Sequence, residues 1–361
     1  MTPIHFFAAA TLAPVPLLLA GAVFGGWWIV LALAYIALFS FVMDEFADGS
    51  VPDGDDTDAV AADQLSIGLA VAHFGLLIVA LLAISGGTGL GWLESVGLLL
   101  SFGLFFGQIS NSNAHELIHR SDKRLFKLGM WIYISLLFGH HTSAHRHVHH
   151  RFVATDEDPN TAALDESFYE FAPRAWFGGF RAGYEMEEAL SGRMTALFGK
   201  GRRLNPYLVY VGGAIGCCLA ALMIFGPIGL IGYLLLAFYA QIQLLLSDYV
   251  QHYGLLRRRL PGGKTEPVTA VHSWNAPHWF TGLMMLNAPR HSDHHTNPSQ
   301  PYPELKLPGA NTAPMLPYGL PAMAAIALFP PVWRRVMNPR AKAWRNAAEF
   351  RSQPGDQSLP A

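Results

Sequence analysis

Cysteine is nearly missing from this chain. Its 361 residues include two, Cys217 and Cys218, adjacent and inside an apolar run. That excludes a disulfide framework, a Cys-X-X-Cys redox pair and a thiolate metal site, and leaves helix packing as the reading for both. Charge is scarce too. Asp, Glu, Lys and Arg make up 14% of the chain, against about 25% in soluble domains. The net charge is −2, so there is no basic field of the kind that draws nucleic acid. Lys and Arg are wholly missing before Arg120, and all 24 lie from there on. Without a basic n-region, the first apolar run is expected to be half of a membrane hairpin rather than a secretory signal.

What fills the chain instead is apolar: 52% of residues are hydrophobic, gathered in runs near the roughly 20 residues that cross a bilayer. The spacing predicts spans over about 4–23, 27–43, 65–84, 92–111, 207–225 and 228–249. Pro14 and Pro16 should kink the first, and Gly25-Gly26, Gly86-Gly87 and Gly226-Pro227 should turn the chain between spans. A polar loop with eight acidic residues is expected between Asp44 and Asp63. Leu125 to Phe138 is apolar but short for a span, and reads as a core or interfacial helix that delivers His145. Phe152 to Arg203 is mixed and polar, with Glu185, Glu187 and Glu188 on a helix-like segment. Trp279 to Leu286 is short and apolar. Five prolines between Pro314 and Val336 argue against a regular span there, and the polar tail after Arg340 is expected to fray. The fold class is therefore all-α: a polytopic membrane protein, one embedded domain of six helices with polar-side catalytic segments at 112–206 and 250–361.

The chemistry lies in histidine. Fourteen of the 16 histidines fall between His115 and His295. They stand as His115-Glu-Leu-Ile-His119, His145-Arg-His147-Val-His149-His150, a single His252, and His291-Ser-Asp-His294-His295. A lone histidine is usually a surface or core residue, but spacing that recurs in clusters points to metal. Helical positions three or four apart share a face, so His115 with His119, His145 with His149, and His291 with His294 or His295 could each reach one ion. Nine such imidazoles in four places are too many for one ion and about right for two. Zinc, copper and iron all accept imidazole. Two zincs at four ligands each would leave histidines over, whereas two irons with open positions could activate O₂. His115 to His119 matches the H-E-x-x-H pattern of zinc proteases, which need one further ligand rather than seven. Carboxylates that could orient these rings are Glu116, Asp156, Asp158, Asp248 and Asp293, with Asp293 best placed between two histidines. His140, His141, His147, His272 and His278 are expected in outer, proton-transfer or surface roles.

The basic residues that flank the histidine clusters, from Arg120 through Arg257-Arg258-Arg259 to Arg290 and Arg335, place those clusters on the cytoplasmic side by the positive-inside rule. The connectors at Gly25, Gly87 and Pro227 carry no basic residue. Six spans with both termini inside satisfy this, and put every cluster on one side of the inner membrane.

These stretches resemble one family. His115-Glu-Leu-Ile-His119, His145 with His149-His150, Asp248-Tyr-Val-Gln-His252-Tyr-Gly-Leu and Leu286-Asn-Ala-Pro-Arg-His291-Ser-Asp-His294-His295 are similar to the motifs of the membrane-bound non-haem di-iron alkane hydroxylases, relatives of xylene monooxygenase. Val153-Ala-Thr-Asp-Glu-Asp-Pro159 and His272-Ser-Trp-Asn275 match as well. The resemblance implies two irons held by His115, His119, His145, His149, His150, His252, His291, His294 and His295. It implies hydroxylation of a terminal methyl group of an alkane by O₂, with electrons from a separate rubredoxin and its reductase. One departure stands out: Asp248 and Gln251 occupy positions where the family commonly has Asn and Glu, which changes the charge beside His252 and gives weight to a xylene-type substrate. A membrane fatty-acyl desaturase or hydroxylase would also carry histidine boxes. A metal transporter would instead place ionisable residues mid-membrane in paired repeats, which this chain lacks.

Overall fold

The computed structural model describes residues 3–51, 59–199 and 204–351. Among them the elements are all helical, with two isolated bridges at Arg259–Thr265 and Asn275–Met315. The long apolar helices are α1 (Pro3–Phe24), α2 (Trp27–Phe46), α3 (Ala59–Ile84) and α4 (Trp92–Ile118). A half-buried α5 (Lys123–Ser135) and the 31-residue α6 (Phe168–Phe198) follow. Next come the 46-residue α7 (Tyr207–His252), α8 (Trp279–Met284), α9 (His291–Thr296), α10 (Leu320–Ala327) and α11 (Pro330–Arg351). The acidic stretch expected between Asp44 and Asp63 lies partly outside the described residues, as do 200–203 and the tail beyond Arg351.

The turn signals act where the sequence puts them. Pro14 interrupts α1 at Ala13. Gly25 and Gly26 take φ of 64° and 52°, and Glu94 on α4 accepts from the Gly26 amide at 2.9 Å and the Gly91 amide at 3.0 Å. Gly226, at φ 72° and ψ −172°, breaks α7 just before Pro227. Cys217 touches Tyr233 across that break. A straight helix would hold those residues about 24 Å apart, so the two halves of α7 fold back on each other.

Three boundaries differ from the sequence reading. α3 begins at Ala59, and α4 continues to Ile118 because Asn111, Ser112, Asn113, Ala114 and Glu116 are buried within the bundle. The tail expected to fray after Arg340 is helical to Arg351. Its apolar side, Trp333, Met337 and Ala341, is fully buried, which fixes the helix despite Pro339.

The short apolar stretch is a re-entrant arm. α5 starts at the polar side and packs between α3, α4 and α7, ending near mid-bundle at a turn where Leu137 has φ 56°. Backbone carbonyls at that depth need partners from protein. Tyr233 donates to the Ser135 carbonyl at 2.7 Å, and Gln241 Nε2 to the Leu136 carbonyl at 2.8 Å. The buried His73 of α3 meets Ser135 Oγ at 2.8 Å. Tyr233→Phe, which keeps the ring and removes the donor, is expected to cost about 1–3 kcal/mol, the range for a buried group left unpartnered. The readout is the apparent melting temperature in detergent. An unchanged melting temperature would mean that the Ser135 carbonyl has another partner.

Candidate metal centre

Four segments bring the histidines together beneath the bundle. His115 sits in the last turn of α4, and His119 follows its end. Arg120 anchors that end, pairing with Glu116 at 3.0 Å and Asp63 at 3.1 Å. His145, His149 and His150 come from a π-helical turn, Ala144–His149, and the residue after it. His252 is the last residue of α7. His291, His294 and His295 occupy the six-residue α9. Asn275 fixes the start of α9: its Oδ1 accepts from the Ser292 amide at 2.9 Å and its Nδ2 donates to Ser292 Oγ at 2.7 Å.

The nine rings form two groups. His115, His119, His145, His150 and His294 make one, and His149, His252, His291 and His295 the other, with the nitrogens of each within 4.8 Å of one another. In the first, His115 Nε2 lies 2.8 Å and His150 Nε2 2.9 Å from His145 Nε2, and His294 Nε2 lies 3.1 Å from His150 Nε2. In the second, His252 Nε2 and His295 Nε2 stand 2.9 and 3.1 Å from His291 Nε2. The Nε2 atoms of His119 and His149 are buried with no hydrogen-bond partner. Metal–nitrogen bonds of about 2.1 Å put adjacent ligand nitrogens about 3 Å apart, so these spacings fit an ion at the centre of each group. The groups adjoin: the His150 and His295 rings are 4.6 Å apart.

The grouping corrects one pairing drawn from helical spacing. His145 and His149 fall in different groups. A π turn carries more residues per turn than an α-helix, so His145 shares a face with His150, five residues on, and His149 points to the second group. On α9 the α spacing holds, and His291 takes His295 while His294 turns to the first group.

Electrostatics favours the ligating form. Burial, and after it the neighbouring imidazoles, hold His119, His145, His150, His294 and His295 well below the usual imidazole range, so they are neutral. His149 differs: burial pulls it down, but its contact with the Asp158 carboxylate and the nearby charge of Asp248 together leave it raised. Asp158 Oδ2 lies 2.9 Å from His149 Nδ1, a carboxylate–histidine contact of the kind that orients metal ligands.

The other expected carboxylates have other partners. Asp293 accepts from Asn297 Nδ2 at 2.9 Å and the Lys306 amide at 2.7 Å, so it fastens a loop rather than a ring. Glu116 takes Arg120 and the Tyr302 amide, and Asp156 is exposed. Asp248 accepts from Asn160 Nδ2, and Gln251 Nε2 donates to the Ala288 carbonyl at 3.1 Å. His140, His141, His147, His272 and His278 lie outside both groups. His147 faces Glu187 at 3.6 Å, His272 faces Glu266 at 3.2 Å, and His278 faces Glu45 at 3.5 Å. Asn160 and Asn275 carry no metal-site signature, and reading for ligands passes over them.

A small cavity of about 50 Å³ meets both groups, lined by His115 from one and His291 from the other. Asp248, Gln251 and Tyr133 form its polar wall, and Leu244, Met285 and Leu320 its apolar one.

Comparison with known proteins gives the same direction. The fatty acid desaturase family model matches residues 90–327. Alkane 1-monooxygenase 1 of Pseudomonas aeruginosa is 33% identical over 273 residues, covering 75% of this chain and 70% of that protein. The alkane 1-monooxygenase of Pseudomonas putida is 32% identical over 277 residues, 76% of this chain and 67% of that protein. The hydroxylase component of xylene/toluene monooxygenase from Pseudomonas putida is 24% identical over 358 residues, 94% and 89% of the two chains.

Proposed function

This chain belongs to the fatty acid desaturase family and, within it, to the alkane 1-monooxygenases, and from that premise we propose that it hydroxylates the terminal methyl group of an alkane at a centre of two irons. The observation that carries this is the convergence of nine histidine ring nitrogens into two adjoining groups, one ring of each lining a shared cavity.

His115, His119, His145, His150 and His294 would hold one iron, and His149, His252, His291 and His295 the other. The bound irons supply the redox chemistry that reduces O₂ and inserts one of its atoms into a C–H bond. The protein's part is to hold, orient and exclude. Burial keeps the imidazoles other than His149 neutral and available. Asp158 fixes the plane of the His149 ring. Leu244, Met285 and Leu320 receive the alkyl end and keep bulk water from it, while Asp248 and Gln251 supply the cavity's polar side. Atoms balance when alkane, O₂, two electrons and two protons give the primary alcohol and water. A separate rubredoxin with its reductase would supply the electrons from the cytoplasmic side of the inner membrane, where the Lys and Arg residues gather. The break at Gly226 supports six crossings, the last two formed by the halves of α7.

The test is product analysis. Membranes holding the protein, given rubredoxin, its reductase and NADH, are offered octane, p-xylene and a fatty acid, and products are identified by mass spectrometry. Octan-1-ol is the expected product. Methylbenzyl alcohol alone would move the substrate to aryl methyl groups, and a new double bond in the fatty acid would overturn the proposal.

A further inference from the structure

A file of rings leads away from the histidine groups. The His145 imidazole lies 5.0 Å, centre to centre, from that of His141. His141 meets the Tyr133 ring at 5.0 Å on one side and stacks on Phe138 at 5.1 Å on the other. Phe138 meets His140 at 4.7 Å, and His140 meets Trp176 at 5.0 Å. Trp176 is half-buried, and Phe177 beside it, at 4.9 Å, is 68% exposed. These separations are contact distances for aromatic rings, so the file is unbroken from the first group to the surface.

Two of its members differ from the rest in chemistry. A phenol and an indole lose one electron far more readily than imidazole or benzene rings do. Tyr133 lines the cavity, and Trp176 sits near the outer end. Each has a polar partner: the Tyr133 hydroxyl donates to the Asn111 carbonyl at 3.4 Å, and Trp176 Nε1 to Gln241 Oε1 at 2.8 Å. An oxidant able to break an alkyl C–H bond can also attack the protein that holds it. When the cavity contains no alkane, that oxidant must be spent elsewhere, and excluding such side reactions is the protein's task.

We propose that Tyr133 and Trp176 form an oxidation relay that carries an unspent oxidising equivalent from the metal centre to the protein surface. The relay rests on the monooxygenase reading above. Electrons pass singly from Trp176, by way of Tyr133, to the centre, and a lipid-soluble hydroquinone, meeting the apolar face that Trp176 shares with Phe238 and Ile242, returns each one to the indole. Net, one hydroquinone becomes a quinone, and its two electrons and two protons complete the reduction of one oxygen atom to water. His140, His141 and Phe138 bridge the two oxidisable rings without being oxidised themselves.

The experiment uses the iron-loaded protein, reduced chemically and exposed to O₂ without alkane or hydroquinone. Freeze-quench electron paramagnetic resonance reads the radical, and peptide mass spectrometry reads where oxygen atoms are added. Wild type should give an indole radical and oxygenated Trp176, and saturating octane should suppress both while octan-1-ol forms. Trp176→Phe should hydroxylate octane as wild type does, yet without octane should accumulate oxidation at Tyr133 and lose activity several-fold sooner. Tyr133→Phe should leave Trp176 unmodified. The relay is overturned if wild-type damage falls on cavity residues with Trp176 intact, or if Trp176 is oxidised equally in Tyr133→Phe. A preparation that makes no octan-1-ol under any condition overturns the monooxygenase reading, and the relay with it.

Discussion

His294→Ala and His295→Ala, adjacent on one turn of α9, are each expected to lower iron content by about one ion per chain, but from different halves of the centre. His294 Nε2 joins the group of five and His295 Nε2 the group of four, so each change removes one imidazole from one proposed site. The group of four would fall to three and the group of five to four, and in either case the depleted site should release its iron. Hydroxylation should fall in both by more than the roughly 10–100-fold typical when only the outer partner of a metal ligand is lost. Pairing the changes tests the partition, because residues that act on one site do not add. His294→Ala with His145→Ala should lose little more iron than His294→Ala alone. His294→Ala with His295→Ala should lose nearly all of it. If the two pairs lose iron equally, the division into groups of five and four is wrong. If either single variant keeps full iron and full turnover, that histidine is not a ligand.

The positions of the histidines and the apolar runs were legible because each depends on local pattern. A run of apolar residues near bilayer length forms a helix whatever its neighbours are, and Gly226 before Pro227 breaks one by backbone geometry alone. The three histidine clusters stand out by recurrence. What the residues did not reveal was which rings face which group. That depends on a π turn at Ala144–His149, and no residue type in Ala-His-Arg-His-Val-His distinguishes a π turn from an α turn. The re-entrant path of α5 was hidden for a related reason. Its length argued against a span, but its depth is set by Tyr233, Gln241 and His73, from helices distant in sequence. The helical course of residues 340–351 was missed because it rests on three buried side chains, Trp333, Met337 and Ala341, spaced four apart inside an otherwise polar stretch.

Asp158→Ala is expected to cost roughly 10–100-fold in iron affinity or turnover, the range for losing the carboxylate behind a metal-bound histidine. The sequence favoured Asp293, because it stands between two histidines, but adjacency along a helix points a side chain away from its immediate neighbours. Asp158, nine residues from His149, reaches its Nδ1 because the chain turns back after Phe152. It is held there by Thr161 Oγ1 at 2.7 Å and the Asn160 amide at 3.0 Å, and it is almost wholly buried. Asp158→Asn can still accept from the His149 ring N–H but loses the negative charge, so its loss should be smaller than that of Asp158→Ala. Asp293→Ala is the control: it frees Asn297 and the Lys306 amide at the surface and should leave iron content near wild type. Iron per chain, titrated against a chelator of known affinity, separates the three. If Asp293→Ala loses as much iron as Asp158→Ala, loop anchoring rather than ring orientation governs the centre. If Asp158→Ala binds iron as tightly as wild type, His149 is held by the rings around it and the carboxylate contributes nothing to the metal.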